Sequence, residues 1–298
     1  MFDFRLKVFH TVAKRLNFTK AAEELFITQP AVSKHIHEVE THYKCKLFER
    51  NGTKIKLTQE GQLLLNYTED LFNIYRNIEY DLAAINKNKK GTLRLGASTT
   101  VAQYFLPKYL ASFRKKYPEI KIELTTNNTE CVENLLTENK IDLGIVEGQS
   151  KRHQIKYTPI IKDKLVLCTN SNNKSIKNFK ITLNELQKLP LVIREQGSGS
   201  LEVIVAALKK AKVSFSQLNI EQVLESSESI KSYLINSASF AFLSNHSIVK
   251  ELKNNELKVV EIKNMNIERY FYFITQQGDK HHLKELFIKF IFSNNFKL

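Results

Sequence analysis

Apolar residues at the start of the chain recur every three or four positions. Leu6, Phe9, Val12, Ala13 and Leu16 share one helix face. A second, shorter helix carries Ala21, Ala22 and Leu25, with Thr19 placed to cap it. After a turn at Phe26-Ile27, Thr28 caps a third helix. Its first turn tolerates Pro30, because an N–H there has no helical partner. Val32, Ile36, Val39 and Tyr43 form its buried stripe, while Gln29, Ser33 and His37 line another face beside Lys34. Leu47 to Arg50 and Thr53 to Thr58 then read as two short strands around Asn51-Gly52, a strong hairpin signal.

The period then changes. From Gln59 to Ile85, Leu64, Leu71, Ile78 and Ile85 repeat every seven residues, and Thr68, Tyr75 and Leu82 form a second seam. A helix of this length, at about 1.5 Å per residue, is a rod roughly 40 Å long. Seams sustained at both positions predict pairing with a second copy, against the alternative of a helix packed on its own domain. The polar run Asn86 to Gly91 ends on glycine and reads as a linker. Beyond it, strands (Thr92 to Gly96, Lys121 to Leu124, Leu143 to Val146) alternate with helices (Val101 to Tyr117, Cys131 to Lys140), the pattern of parallel βαβ units. The predicted domains are residues 1–58, 59–88 and 89–298.

These elements suggest a chemistry. Two small helices meeting a third across a tight turn make a helix-turn-helix. Its outward Gln29, Ser33, Lys34 and His37 are of the types that reach base edges and phosphates in a major groove. A hairpin decorated by Arg50, Lys54 and Lys56 is a wing suited to phosphate contact. The 298 residues allow about two domains of roughly 100–200 residues each. A hydrophobic fraction of 42% with 26% charged residues excludes a disordered chain. The net charge is +14, and residues 1–58, with 11 Lys/Arg against 6 Asp/Glu, carry about twice the charge density of the rest. A polyanionic partner is favoured there.

The run Phe18-Thr19-x-Ala21-Ala22-x-x-Leu25-x-x-Thr28-Gln29-Pro30-Ala31-Val32-Ser33-Lys34-x-Ile36, continued by Glu40, Leu47-Phe48-Glu49-Arg50 and Leu57-Thr58-x-x-Gly61, strongly resembles the N-terminal signature of LysR-type transcriptional regulators. The resemblance implies an α/β fold in three parts: an N-terminal winged helix-turn-helix, a long linker helix, and a two-lobed, periplasmic-binding-protein-like effector domain. Lobe I would hold residues 91–161 and 268–298, and lobe II residues 162–267. Thr28, Gln29, Pro30, Ala31, Ser33 and Lys34 would meet promoter double-stranded DNA, with wing contacts from Arg50, Thr53 and Lys54. Where family members often carry Arg-Gln after the recognition serine, this chain has Lys34-His35, and lysine is a point charge suited to phosphate. The linker helix would pair antiparallel in a homodimer, and a homotetramer is the family expectation. Where the family often has Gly-x-Gly before the strand Phe240 to Leu243, Ser237 and Ser239 stand instead. They would make the pocket near that loop smaller or more polar.

Two loops suggest a ligand. Ser98-Thr99-Thr100 follows the first strand of the third section and precedes a helix. Gly197-Ser198-Gly199-Ser200 follows Leu191 to Ile193 and precedes another. Hydroxyl donors at helix N-termini attract anions, and such loops lie at the carboxyl ends of strands, where ligands bind in open α/β sheets. N-capping accounts equally well for either loop alone. Both together, with Thr129 as a third candidate, favour a small anionic effector. Glu195 would repel an anion or accept from a ligand hydroxyl or amine.

Other readings are weaker. Cys45, Cys131 and Cys168 lack metal-ligand spacing and read as reduced thiols; Cys131 and Cys168 read as buried and structural rather than redox-sensing. His281-His282, between lysines, reads as solvated surface. No metal or cofactor is expected. With no GxSxG motif and no His/Asp constellation to place beside Ser98 or Ser198, the chain is not expected to be an enzyme. No apolar run reaches about 18 residues, and the N-terminus is amphipathic without a signal-peptide core, so a cytoplasmic protein without membrane contact is expected.

Overall fold

The computed structural model describes residues 3–51, 54–85, 90–148, 152–176, 179–278 and 282–294. It forms two compact units, Met1–Leu82 and Ala83–Leu298.

The first unit opens with helices α1 (Phe4–Arg15), α2 (Phe18–Leu25) and α3 (Gln29–Tyr43), followed by the antiparallel pair β1 (Phe48–Asn51) and β2 (Lys54–Leu57) and the long helix α4 (Gln59–Ile85). Thr28 caps α3, accepting from the Ala31 amide at 3.4 Å. Helix α2 is capped by Asn17, not Thr19. Asn17 has the extended backbone a cap needs, and its side chain accepts from the Lys20 amide. Val8, Phe9, Val12, Ala21, Val32 and Ile36 close into one apolar core. Tyr43 is not part of it and stays 51% exposed. The last inward place on α3 goes to Glu40, whose carboxylate accepts from the Leu47 amide at 2.9 Å and from Lys46 Nζ at 2.8 Å. A buried carboxylate thus fixes where the chain enters the hairpin.

Helix α4 starts inside this unit. A Cβ on Gly61 would stand 2.1 Å from the Leu47 carbonyl oxygen, so glycine alone lets the helix approach. Leu64 and Leu65 pack on the core, Thr68 is buried with its hydroxyl donating to the Leu64 carbonyl, Glu69 pairs with Lys14, and the Phe72 ring meets His10 edge-on at 4.7 Å. Leu64 and Thr68, expected in a seam between copies, therefore face their own core. The exposed apolar stripe runs through Leu63, Tyr67, Leu71, Ile74, Ile78 and Leu82.

The second unit contains β3 (Gly91–Ser98), α5 (Leu106–Lys116), β4 (Ile120–Asn127), α6 (Thr129–Thr137), β5 (Leu143–Glu147), β6 (Ile155–Asn170), β7 (Lys180–Ile181), α7 (Leu183–Leu186), β8 (Leu191–Ile193), α8 (Gly199–Lys210), β9 (Ile220–Val223), α9 (Ser227–Ile235), β10 (Phe240–Ser244), α10 (Val249–Lys253), β11 (Leu257–Ile262), β12 (Ile267–Gln276) and α11 (His282–Ser293). The helix expected from Val101 begins as a π-helical turn, Val101–Phe105, in which the Leu106 amide donates to the Val101 carbonyl. Pro107 has no N–H to continue the α-helical ladder, which favours the wider turn.

The strand order is β4-β3-β5-β12-β6-β10-β8-β9, with β11 on β6 and β7 on β11. Strand β3 runs parallel to β4 and β5, and β8 runs parallel to β9 and β10, as the βαβ pattern predicts. The middle is antiparallel, because β6 and β12 are long strands that cross directly between the two halves. Strand β5 pairs with β12 only from Phe271 onward, and β10 pairs with β6 only from Leu165 onward. Between these points Lys162 to Lys164 face only Glu268 to Tyr270, a two-stranded bridge. Its side chains alternate. Lys162 and Glu268 form an exposed pair at 2.6 Å, while the cross-strand partners Asp163 and Arg269 turn inward and are fully buried.

Candidate functional site

The first site is the front of α3. Thr28, Gln29, Pro30, Lys34 and His37 are exposed, and Ala31 and Ser33 half-buried. The Gln29 side-chain amide donates to Ser33 Oγ at 3.0 Å, so the two residues share one face. The Pro30 ring fixes the first turn. Arg50 pairs with Ile55 near the end of β1, and Lys54 opens β2 opposite Asn51; Thr53 lies outside the described residues. One residue missed in the sequence stands beside this face. Phe26 occupies the left-handed turn between α2 and α3 and is 95% exposed.

The second site lies where the two half-sheets meet. Ser98 ends β3, Thr129 opens α6, and Gly199 and Ser200 open α8. All four converge on Glu147, the last residue of β5. Its carboxylate accepts from the Ser98 hydroxyl, and from the Ser200 hydroxyl at 3.3 Å. Its carbonyl accepts from the Thr129 hydroxyl at 2.7 Å, and a Cβ on Gly199 would collide with that same oxygen. Arg269 continues the network: Nη1 donates to Ser200 Oγ at 2.7 Å and lies 3.5 Å from Glu147, while Nε donates to Asp163 at 2.7 Å. Asp163 also accepts from Ser244 at 2.8 Å, and His246 Nε2 stands 3.9 Å away.

Four buried donors near these loops have no hydrogen-bond partner: Thr99 Oγ1, Ser198 Oγ, Arg194 Nη1 and Arg269 Nη2. Ser198 is the N-cap of α8 yet makes no capping bond. Gly197, at φ +85, supplies the turn before it and accepts through its carbonyl from the Glu130 amide across the two halves. Thr100 is buried at the start of the π-helical turn and makes no side-chain capping bond there. Glu195 is compensated within the chain, because Arg194 holds it through two bonds of 2.8 and 2.9 Å. On a third contact between the halves, Tyr104 donates to Glu228 at 2.6 Å with Lys231 over its ring. Burial, reinforced by that carboxylate, holds the Tyr104 hydroxyl well above the usual phenol range.

The serines at 237 and 239 lie away from this site. They precede β10 at the end where the Phe240 amide donates to the Pro190 carbonyl, whereas the Gly197–Ser200 loop follows the opposite, carboxyl end of β8. The Ser239 hydroxyl is spent on Glu221. Cys168 is buried in β6, and burial pushes its thiol up to about 12. Cys131, expected to be buried, is half-exposed on α6. His281 lies outside the described residues.

Glu147, Asp163, Arg194 and Arg269 escaped the sequence reading. One signal was legible: Ile267, Arg269, Phe271 and Phe273 alternate on the inward face of β12, which places a guanidinium among core residues.

A winged helix-turn-helix in the first unit and a two-halved α/β sensor with a polar interior in the second define a DNA-binding regulator with a ligand-sensing domain. The LysR substrate binding domain model matches residues 86–294, and that of the bacterial regulatory helix-turn-helix protein, lysR family, matches residues 4–62. The chain belongs to the LysR family of transcriptional regulators, and its relatives are regulators, not enzymes. It is 29% identical over 292 residues to the HTH-type transcriptional activator CmpR of Synechocystis, covering 98% of this chain and 95% of the relative. The regulatory domain of Synechocystis CcmR, solved in complex with 2-PG, matches with a TM-score of 0.63 at 25% identity, covering 70% of this chain and 98% of that one. Full-length CbnR, solved with its target DNA, matches with a TM-score of 0.71 at 18% identity over 98% of this chain and 99% of that one, a likeness of fold. No helix among the described residues is long and apolar enough to cross a membrane.

Proposed function

We propose that the chain is a cytoplasmic, homodimeric or homotetrameric regulator of promoter DNA whose binding responds to a small anionic effector held between the two halves of the sensor. Residues 1–58 bind double-stranded DNA, 59–88 associate with a second copy, and 89–298 bind the effector. Thr28, Gln29, Pro30, Ala31, Ser33, Lys34 and His37 face the major groove, and Arg50, Thr53 and Lys54 the adjoining phosphates. The shared outward face of Gln29 and Ser33, on a helix capped by Thr28, supports this placement. Leu71, Ile78 and Leu82 carry the association, with Leu63, Tyr67 and Ile74 in place of Leu64. Tyr75 and Ile85, proposed for the same interface, lie on this helix, Ile85 as its last residue.

The observation that carries the effector reading is the set of buried, unpartnered donors. Two hydroxyls and two guanidinium N–H groups around the Ser98–Thr100 and Gly197–Ser200 loops lack acceptors. Buried donors without partners are costly, and a ligand rich in acceptors relieves them. An acid suits them better than a neutral ligand because two of the four belong to guanidinium groups.

The test has two arms. Replacing Gln29, Ser33 and Lys34 together by alanine is expected to abolish sequence-specific binding, with melting unchanged, since all three side chains lie outside the core. Retained specific binding would mean the recognition face lies elsewhere. Separately, the DNA affinity of the full chain is measured against a panel of phosphorylated and carboxylic acids. A response lost on Ser198→Ala is expected; no response to any acid would sink the anionic-effector reading.

A further inference from the structure

Ser98 and Ser200 are the hydroxyls best placed to receive an effector acid, yet both are already engaged with an acid, the chain's own Glu147. The surroundings of that carboxylate have the make-up of a small-acid site. Hydroxyls arrive from the end of β3 and the first turn of α8, and the Arg269 guanidinium stands at 3.5 Å. The start of a 12-residue helix lies against the same residue, Gly199 touching the Glu147 backbone. Glu147 is 1% exposed, so little water contributes to its solvation. Two further donors, Arg269 Nη2 and Ser198 Oγ, are buried and idle, on residues 4% and 3% exposed. The first belongs to the guanidinium that already holds Ser200.

The charge balance leaves no room for a second anion beside the first. Asp163 and Glu147 share one guanidinium, that of Arg269. A further acid at hydrogen-bond distance from Ser98 and Ser200 would face Glu147 across a few ångströms in a buried site, where like charges repel strongly. It enters only if Glu147 leaves.

We propose that Glu147 is the specificity-determining residue of the cleft: its carboxylate is the resident occupant of an acid-binding position made by Ser98, Ser200 and Arg269, and the effector's carboxylate or phosphate takes that position by displacing it. The inference rests on the effector reading above and names the place where the acid binds. It also supplies a way to couple binding to shape. Ser98 ends a strand of one half-sheet and Ser200 opens a helix of the other, so the acid between them sets their separation. An acid of different reach from the glutamate side chain favours a different arrangement, which is the unequal affinity a ligand needs to shift an equilibrium.

Glu147→Ala deletes the equivalent of one acetate. In the full chain, acetate is the probe, acetamide its neutral counterpart, and chloride the control at matched ionic strength. The variant is expected to melt lower than the unsubstituted protein and to regain stability with acetate. Its apparent acetate affinity should be roughly tenfold or more above that of the unsubstituted chain, in proportion to the like charge removed. Acetamide should not substitute, and adding Ser98→Ala and Ser200→Ala should remove the gain. Equal acetate response in variant and parent, or equal rescue by acetamide, overturns the proposal. If Glu147→Ala fails to fold, Glu147→Gln takes its place, with a roughly tenfold gain in acetate or sulfate affinity expected and no gain overturning it. The two readings fail separately. Acetate rescue with no effect of any acid on DNA affinity leaves the acid position standing and removes the effector reading. An acid-dependent DNA response without rescue does the reverse.

Discussion

The two units solve the problem of a buried interior in opposite ways. The first closes Val8, Phe9, Val12, Ala21, Val32 and Ile36 into an apolar cluster and keeps its candidate binding groups, Gln29, Ser33 and Lys34, on the outside. The second buries its candidate groups: Glu147, Asp163 and Arg269 lie at the junction of its halves with almost no exposure. An apolar core tolerates change by degrees, because each lost contact costs little by itself. A buried ionic network depends on every member, because removing one leaves the others desolvated and unpaired. The difference suits the proposed roles. A headpiece built on a closed apolar core would present its outer face to DNA, while a junction held by exchangeable polar bonds can be reset by a ligand offering the same bonds.

Substitutions at the two interiors should have separate effects. The largest effect is expected for Arg269→Met, which strands two buried carboxylates: about 3–5 kcal/mol lost from the second unit, with the first unaffected. Calorimetric melting of the two transitions checks this; a loss under about 1 kcal/mol would mean the network is not the junction's support. Gly61→Ala should act only on the first unit, costing about 1–3 kcal/mol by forcing α4 away from the Leu47 carbonyl. A change of melting in the second transition would contradict the division.

The first unit also carries a buried histidine that titrates. His10 sits against Phe72, and burial, aided by nearby Lys14, lowers its imidazole to about 4. The unfolded chain, with an ordinary histidine near 6.5, takes up this proton first as pH falls. The first unit should therefore hold its full contribution above pH 6.5 and lose it between there and pH 4. The loss should be roughly 2 kcal/mol after allowing for the ring's partial solvent contact, and it should vanish in His10→Leu. The smallest effect on stability is expected for Leu71→Glu with Ile78→Glu. Both positions are exposed in a single copy, so melting at low concentration should move by under about 0.5 kcal/mol. Sedimentation should instead show weakened self-association; unchanged association would take this stripe out of the interface.

How much was legible follows from the range of the interactions. The three helices, the Thr28 cap and the hairpin could be read because spacings of three, four and two residues carry their own geometry. On α4 the seven-residue spacing reads as a helix, but which flank meets the unit's own core depends on the approach that Gly61 permits, and Leu64 and Thr68 turn inward. Tyr43 was misplaced because the Glu40 carboxylate found two donors beyond the end of the helix.

In the second unit the loops Ser98–Thr100 and Gly197–Ser200 followed from strand–helix alternation and hydroxyl chemistry. Their meeting on Glu147 did not. Ser98, Glu147, Asp163, Ser200 and Arg269 come from separate stretches of chain, and nothing local links them. The antiparallel register of β6 and β12 puts Arg269 opposite Asp163, and the parallel run of β3 and β5 brings Ser98 to the end of β5. A buried charge takes whichever partner the strand pairing delivers. Local order therefore lay in the order of residues, while Glu147, Asp163 and Arg269 met only because the sheet closed as it did.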